Sequence, residues 1–206
     1  MVIATSIKQQ GAIKPEEAKE LPGDLAIWIF IFAELTVFAI FFFCYSWMHS
    51  HHLDVFKAGR ENLHPIAGLI NTAALITSSY TVALAVLFAK RGRVDLSSNI
   101  LVLSILIGLI YVFTKVWEYG ELLDAGFNLS TNNFYMFYFF TTGFHFLHVL
   151  LGLVILAIMA VRLRAASRAV EIELCQNERL NLESSASYWH MVDLLWIILF
   201  PLVYVL

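Results

Sequence analysis

Apolar residues fall into five long blocks, roughly Leu25–Trp47, Pro65–Ala89, Leu96–Tyr119, Asn133–Val161 and Ser187–Leu206. Each is long enough to cross a hydrocarbon core about 30 Å thick, which takes about 20 helical residues. Inside lipid every backbone polar group must be satisfied within the structure, so each block predicts a helix rather than a strand. The connections between the blocks are too short to hold a separate soluble domain. The pattern therefore predicts an all-α, polytopic membrane protein, with five transmembrane helices in one bundle over residues 22–206. Residues 1–21 are polar and mixed in charge and read as a flexible tail. Pro22 and Gly23 punctuate it, and Asp24 is placed to cap the first helix.

The polar segments add detail. The first connection, about Met48–His64, is rich in histidine and reads as a solvated loop. A tight Lys-Arg-Gly-Arg-Val-Asp turn follows the second block. Gly120–Asn132 carries an Asn-Leu-Ser-Thr-Asn-Asn run suited to capping the fourth helix. Arg162–Ala186 alternates charges, and the third and fourth helices are expected to outrun the bilayer or tilt within it.

Composition agrees with a membrane setting. The chain of 206 residues is 60% hydrophobic and only 14% charged, where soluble domains carry about 25% charged residues. The distribution of charge says more than the net value of −3. Lys8, Lys14, Lys19, Lys90, Arg91, Arg93, Arg162, Arg164, Arg168 and Arg179 fall on one side of the predicted spans. Only Lys57 and Arg60 fall on the other. The positive-inside rule then predicts a cytoplasmic N-terminus and an external C-terminus. No apolar signal segment precedes the first span. Cys44 and Cys175 lie at different depths, which argues against a disulfide between them.

Charged groups at membrane depth are costly, and they mark sites of interest. Glu34 lies about nine residues into the first helix, some 14 Å from its start at 1.5 Å per residue. It must be protonated, hydrogen-bonded or paired, and it reads equally as a proton-linked site or as glue between helices. His145 and His148, three apart on the fourth helix, are partners for Glu34 or for neighbouring hydroxyls. They lack the companion ligands that a metal site needs. Lys115 and Glu118 share one face of the third helix and predict an ion pair at its outer end, where Lys115 can snorkel to the interface. His190 and Asp193 repeat the spacing near the start of the fifth helix and predict pairing at the helix end. Asn71, Thr72, Thr77, Ser78, Ser79 and Thr81 give the second helix small polar groups suited to close packing and interhelical hydrogen bonds. His49, His51 and His52 read as loop residues rather than metal ligands. There is no phosphate-cradling loop, nucleophile elbow or complete haem or copper ligand set, so no catalytic residue and no metal ligand is assigned. Nucleic acid is not an expected partner.

Several runs together resemble the cytochrome c oxidase subunit III family of haem-copper terminal oxidases. They are Leu25-Ala-Ile-Trp-Ile-Phe-Ile-Phe-Ala-Glu34, Asn71-Thr72 with Ser78-Ser79, and Lys115-x-x-Glu118-Tyr119. Phe134-Tyr135 follows, then Thr142-Gly143-Phe144-His145-x-x-His148-Val149 and Tyr188-Trp189-His190-Met191-Val192-Asp193-x-x-Trp196. The likeness covers about residues 22–206 and is similar to the short, five-helix bacterial form that lacks the first two of seven helices. Phe146 stands where the family usually has glycine. The ending Leu199-Phe-Pro-Leu-Val-Tyr-Val-Leu206 resembles a branch associated with nitric oxide reductases.

The resemblance implies a multi-pass, non-catalytic subunit in a bacterial inner membrane. It packs against the catalytic subunit I and other subunits, holds phospholipid in a cleft and supports proton uptake. Haem and copper belong, on this reading, to the partner subunits. The aromatic faces Phe41–Phe43 and Phe137–Phe140 suit the lipid. Two further readings are open: an accessory subunit of a nitric oxide reductase system in denitrification, and an independent transporter or proton channel. The electron donor, cytochrome c or quinol, is not encoded in this chain.

Overall fold

A computed structural model describes residues 25–168 and 176–206. The predicted tail, the Asp24 cap and Cys175 lie outside those residues. Six α-helices follow in order: α1 Leu25–His51, α2 Leu53–Arg60, α3 Pro65–Lys90, α4 Val94–Asp124, α5 Asn133–Arg168 and α6 Gln176–Phe200. A π-helical turn, Pro201–Val205, continues α6 to the end of the chain. Five segments are long and apolar enough to span a membrane, and no strand occurs among the described residues. The protein is a multi-pass membrane protein.

Local chemistry fixes the helix ends. Pro65 opens α3 at a position where a missing N–H costs nothing. Gly126, at φ +87°, ends α4: its N–H reaches Leu123 O and the Phe127 N–H reaches Leu122 O at 2.9 Å. This double bond across a left-handed residue closes the helix, and a side chain there would be strained. Asn132 then caps α5 as predicted, its Oδ1 accepting from the Tyr135 N–H at 3.0 Å.

The helices α3, α4, α5 and α6 pack in a closed ring, each against the next, while α1 lies outside it against α5 and α6. The ring is bolted by hydroxyls. Ser78 donates to Ser104 O, Ser97 to Ala85 O, Ser98 to Ala160 O, and Trp196 to Thr72 Oγ1. The helix termed second in the sequence is α3, and its small polar groups do link helices. Asn71 is the exception: it is wholly buried and its amide has no partner among the described residues. Thr77 bonds back to its own helix at Ala73 O.

By contrast, α1 touches the ring along one seam. Its buried residues are Ile31, Phe38 and Tyr45, seven apart, and its other flanks are exposed. Glu34 lies three residues after Ile31 and four before Phe38, on that same face.

Three sequence expectations change. The histidine-rich first connection contains the short helix α2, whose Phe56 is buried against Tyr45 and Phe134. An amphipathic helix of two turns is too short to stand out beside the spans. Second, α4 and α5 run 31 and 36 residues and do exceed a bilayer core, but they also absorb much of the third and fourth connections. Third, the last span is Asn177–Val205, so it begins well before Ser187. Lys90–Glu183 at 3.0 Å and Arg162–Glu178 at 3.7 Å hold that charged start against α3 and α5.

Candidate functional site

Three polar groups lie within the spans, and each is built differently. At the edge of the ring, Glu34 Oε2 of α1 meets His148 Nε2 of α5 at 3.0 Å. The other ring nitrogen, Nδ1, faces Phe144 O at 2.8 Å. A carbonyl only accepts, so Nδ1 carries a proton. One further proton remains to be shared between Nε2 and the carboxyl. The pair is either imidazolium with carboxylate or neutral imidazole with carboxylic acid. Phe38 and Phe144 pack on the imidazole. The side chains remain 10% and 20% exposed, so the pair sits at the rim of the bundle rather than sealed within it.

His145, one turn earlier, goes elsewhere. Its Nε2 donates to Val192 O at 3.1 Å, and its Nδ1 accepts from Tyr111 at 3.0 Å. The neutral ring is fully satisfied and ties α4, α5 and α6 together. Of the two histidines considered as partners for Glu34, only His148 meets it. His145 is a staple of the ring.

The second group is Lys115 and Glu118. Their ion pair forms at 2.8 Å, toward the C-terminal end of α4. Snorkelling does not occur: both residues are fully buried. The ammonium turns inward and spends its three donors on Glu118, on Tyr138 at 3.1 Å and on Tyr204 at 2.7 Å. The Tyr204 hydroxyl in turn donates to the Glu118 carboxylate, 2.7 and 2.8 Å from its two oxygens. The rings of Tyr119, Tyr138, Trp196 and Tyr204 surround the cation at 4.8 to 5.5 Å, which adds cation–π attraction. A buried pair survives when hydrogen bonds satisfy its remaining lone pairs and protons, and here they do. The aromatic cage was not legible beforehand. Tyr138 lies 23 residues from Lys115 and Tyr204 lies 89 away, so no spacing rule joins them. A stoichiometric argument offers the one available signal: an inward-facing ammonium needs three acceptors, and span tyrosines can supply them.

The third group is Ser79, His190 and Asp193. His190 and Asp193 lie near the middle of the Asn177–Val205 span, about 20 Å from its start, and not at a helix end. The difference follows from the earlier start of α6. The His190 Nδ1 pairs with Ser79 Oγ of α3 at 2.5 Å. Asp193 lies against both residues, so the predicted neighbourhood of the two holds while the direct bond goes to Ser79.

His49 and His51 are in the last turn of α1, with His51 bonded to Trp47 O and the His49 ring against Tyr45 and Phe56. Cys44 is a free, exposed thiol.

Comparison with known proteins gives these sites a context. The chain is similar to "Probable quinol oxidase subunit 3" of Staphylococcus saprophyticus, at 26% identity over 88% of each chain. It is similar to "Cytochrome c oxidase subunit 3" of Corynebacterium diphtheriae, at 30% identity over 85% of this chain and 84% of that one. A "Heme-copper oxidase subunit I+III" of Aeropyrum pernix matches at 28% identity over 93% of this chain, which spans 25% of that longer protein. These relatives are named for oxidases, and they lend no support to the nitric oxide reductase reading. The family model described as cytochrome c oxidase subunit III matches residues 9–206. With five spans and the Glu34, Lys115–Glu118 and His145/His148 motifs in one bundle, the chain belongs to the cytochrome c oxidase subunit III family.

Proposed function

We propose that the chain is a non-catalytic subunit of a respiratory haem-copper oxidase in a bacterial inner membrane, where it stabilises the catalytic subunit I and sustains proton uptake. The observation that carries the reading is the family match over residues 9–206. The polar groups support it. Lys115, Glu118 and His145 spend their hydrogen bonds on other groups of the bundle, which is the chemistry of a scaffold. The Glu34–His148 pair shares one proton and retains some exposure, which suits a group that buffers or relays protons beside a partner.

Phospholipid belongs to the same proposal. A cleft of about 290 Å³ opens where α1, α5 and α6 meet. Ile27, Ile155, Ile158 and Met159 offer it an apolar wall, and Arg162 and Asn181 a polar rim. A second, apolar cleft of about 390 Å³ is lined by Phe43 and Phe137, two of the aromatic residues expected to face lipid, together with Trp47. For orientation, Lys90, Arg162 and Arg164 gather at one end of the bundle through contacts with Glu183, Glu178 and Asn99. This supports a cytoplasmic N-terminus by the positive-inside rule.

The test is purification of the chain with its partners from membranes, followed by a haem spectrum and turnover with oxygen or nitric oxide. The expected result is a haem- and copper-containing complex that reduces oxygen with cytochrome c or quinol as donor. Nitric oxide turnover alone, or ion flux through the chain by itself in liposomes, overturns it. Within that complex, Glu34→Ala is expected to shorten the time that turnover is sustained. Unchanged turnover and unchanged inactivation remove the proton role from Glu34.

A further inference from the structure

The outer faces of α1, α4 and α5 present apolar groups to the membrane, such as Ile29 and Ile40, Leu106 and Phe113, Leu147 and Val154. The α3–α6 face differs. At mid-span it exposes the His190 imidazole, backed by Ser79 and Asp193. The Nε2 of His190 has no hydrogen-bond partner among the described residues, and neither does Asp193 Oδ1. Hydrocarbon offers a polar nitrogen nothing, and ionisable groups in spans face protein or water rather than lipid. We propose that the α3–α6 face docks a transmembrane helix of the catalytic subunit, and that this helix presents a polar, hydrogen-bonding group to His190 Nε2. The inference rests on the oxidase reading above and adds to it the face used and the chemistry of the contact.

The contact follows from the unmet bond. Ser79 pairs with His190 Nδ1, and Asp193 lies behind both. Either tautomer leaves Nε2 with one hydrogen bond unmade, a lone pair that needs a donor or an N–H that needs an acceptor. The surrounding surface suits a helix. His190, Leu194 and Ile197 form an exposed stripe at spacings of four and three along α6. On α3, exposed Ala73 and Ala83 flank exposed Tyr80, and small residues let helix backbones approach closely in membranes.

Photo-crosslinking in membranes that hold the whole complex tests the face. p-Benzoylphenylalanine is placed at Tyr80, at Ile197 or, as the control, at Phe113 on α4. Crosslinks to the haem-carrying subunit are expected from Tyr80 and Ile197 and not from Phe113. Capture from Phe113 alone overturns the face while leaving the oxidase reading intact. From Tyr80 and Ile197, crosslinks only to lipid or to a second copy of this chain overturn the docking. If no haem-carrying protein co-purifies, the oxidase reading fails and the docking fails with it. Substitution tests the hydrogen bond. His190→Leu is expected to weaken retention of the catalytic subunit about three- to tenfold, the range of one intramembrane hydrogen bond. His190→Gln, which keeps both an acceptor and a donor, is expected to restore most of it. Equal retention by all three proteins, or equal loss by both variants, overturns the polar contact.

Discussion

Glu118 and Glu34 both lie inside the spans, and the bundle treats them in opposite ways. Glu118 is sealed, with Lys115 as counter-ion and Tyr204 bonded to both of its oxygens. Glu34 has a single partner, His148, on a helix that touches the ring along one seam. The sealed acid sits where four helix segments converge: α4 supplies the ion pair, α5 supplies Tyr138, α6 supplies Trp196 and the final π-helical turn supplies Tyr204. The rim acid sits on the seam that α1 makes with the ring, and its hydrogen bond goes to α5. A buried charge is therefore informative through its partners and its enclosure more than through its depth. Glu118 is fully buried, and its counter-ion and its hydroxyl donor both come from the bundle. Glu34 has an open side and a shared proton.

The contrast breaks first at Lys115. Lys115→Met leaves Glu118 enclosed without a counter-ion, and breaking a buried pair in this way costs about 3–5 kcal/mol. The expected outcome is a steep loss of folded protein in membranes and of thermal stability in detergent. Lys115→Met with Glu118→Leu removes both charges, and is expected to recover much of that loss because an apolar pair of similar volume costs little. A double variant no better than the single one would show that the cage depends on the ion pair itself. The next effect in size is at Tyr204. Tyr204→Phe removes the donor to Glu118 and an acceptor for Lys115 while keeping the ring, at a cost of about 1–3 kcal/mol. Its readout is the unfolding temperature together with protease sensitivity of the last turn. A similar cost comes from Gly152→Ala, whose added methyl lies 2.7 Å from the Trp189 ring. Overpacking of a tight core costs about 1–3 kcal/mol. That variant tests whether the ring, rather than the cage alone, sets stability.

How far the sequence reaches follows from the same two acids. The spans were legible because lipid imposes a length and an apolarity that few soluble segments meet, and the Asn132 cap was legible because capping is local. The α2 helix was not, since two amphipathic turns lack a signal of that strength. The Lys115–Glu118 pair was legible from its spacing of three, but its burial was not: snorkelling or turning inward is decided by acceptors from other helices, and Tyr204 is 89 residues away. For Glu34 the candidate partners reduced to two histidines one turn apart, and only packing decides between them. Phe38 fills the space beside both rings. Tyr111 and Val192 then claim His145 from within the ring, so that His148 alone bonds to Glu34.

The smallest stability effect, and the sharpest test of the comparison, lies at the rim. Glu34→Gln removes the ability to ionise and keeps the size and one hydrogen bond to His148. An intramembrane hydrogen bond is worth about 0.6 kcal/mol on average, and the α1 seam retains Ile31, Phe38 and Tyr45. The variant is therefore expected to fold and assemble with an unfolding temperature close to that of the parent. Proton inventory separates the two. In the parent, Nδ1 is fixed as a donor by Phe144 O, and Glu34 with His148 Nε2 shares one proton. In Glu34→Gln the amide donates an N–H to Nε2, and that hydrogen stays on the amide. Infrared spectra of the two proteins are expected to differ by one carboxyl signal, that of Glu34. Glu118→Gln leaves Lys115 buried without its counter-ion and is expected to lose stability instead. If Glu34→Gln destabilises the bundle as strongly as Lys115→Met, the rim pair is structural glue like the sealed one, and the distinction between the two acids collapses.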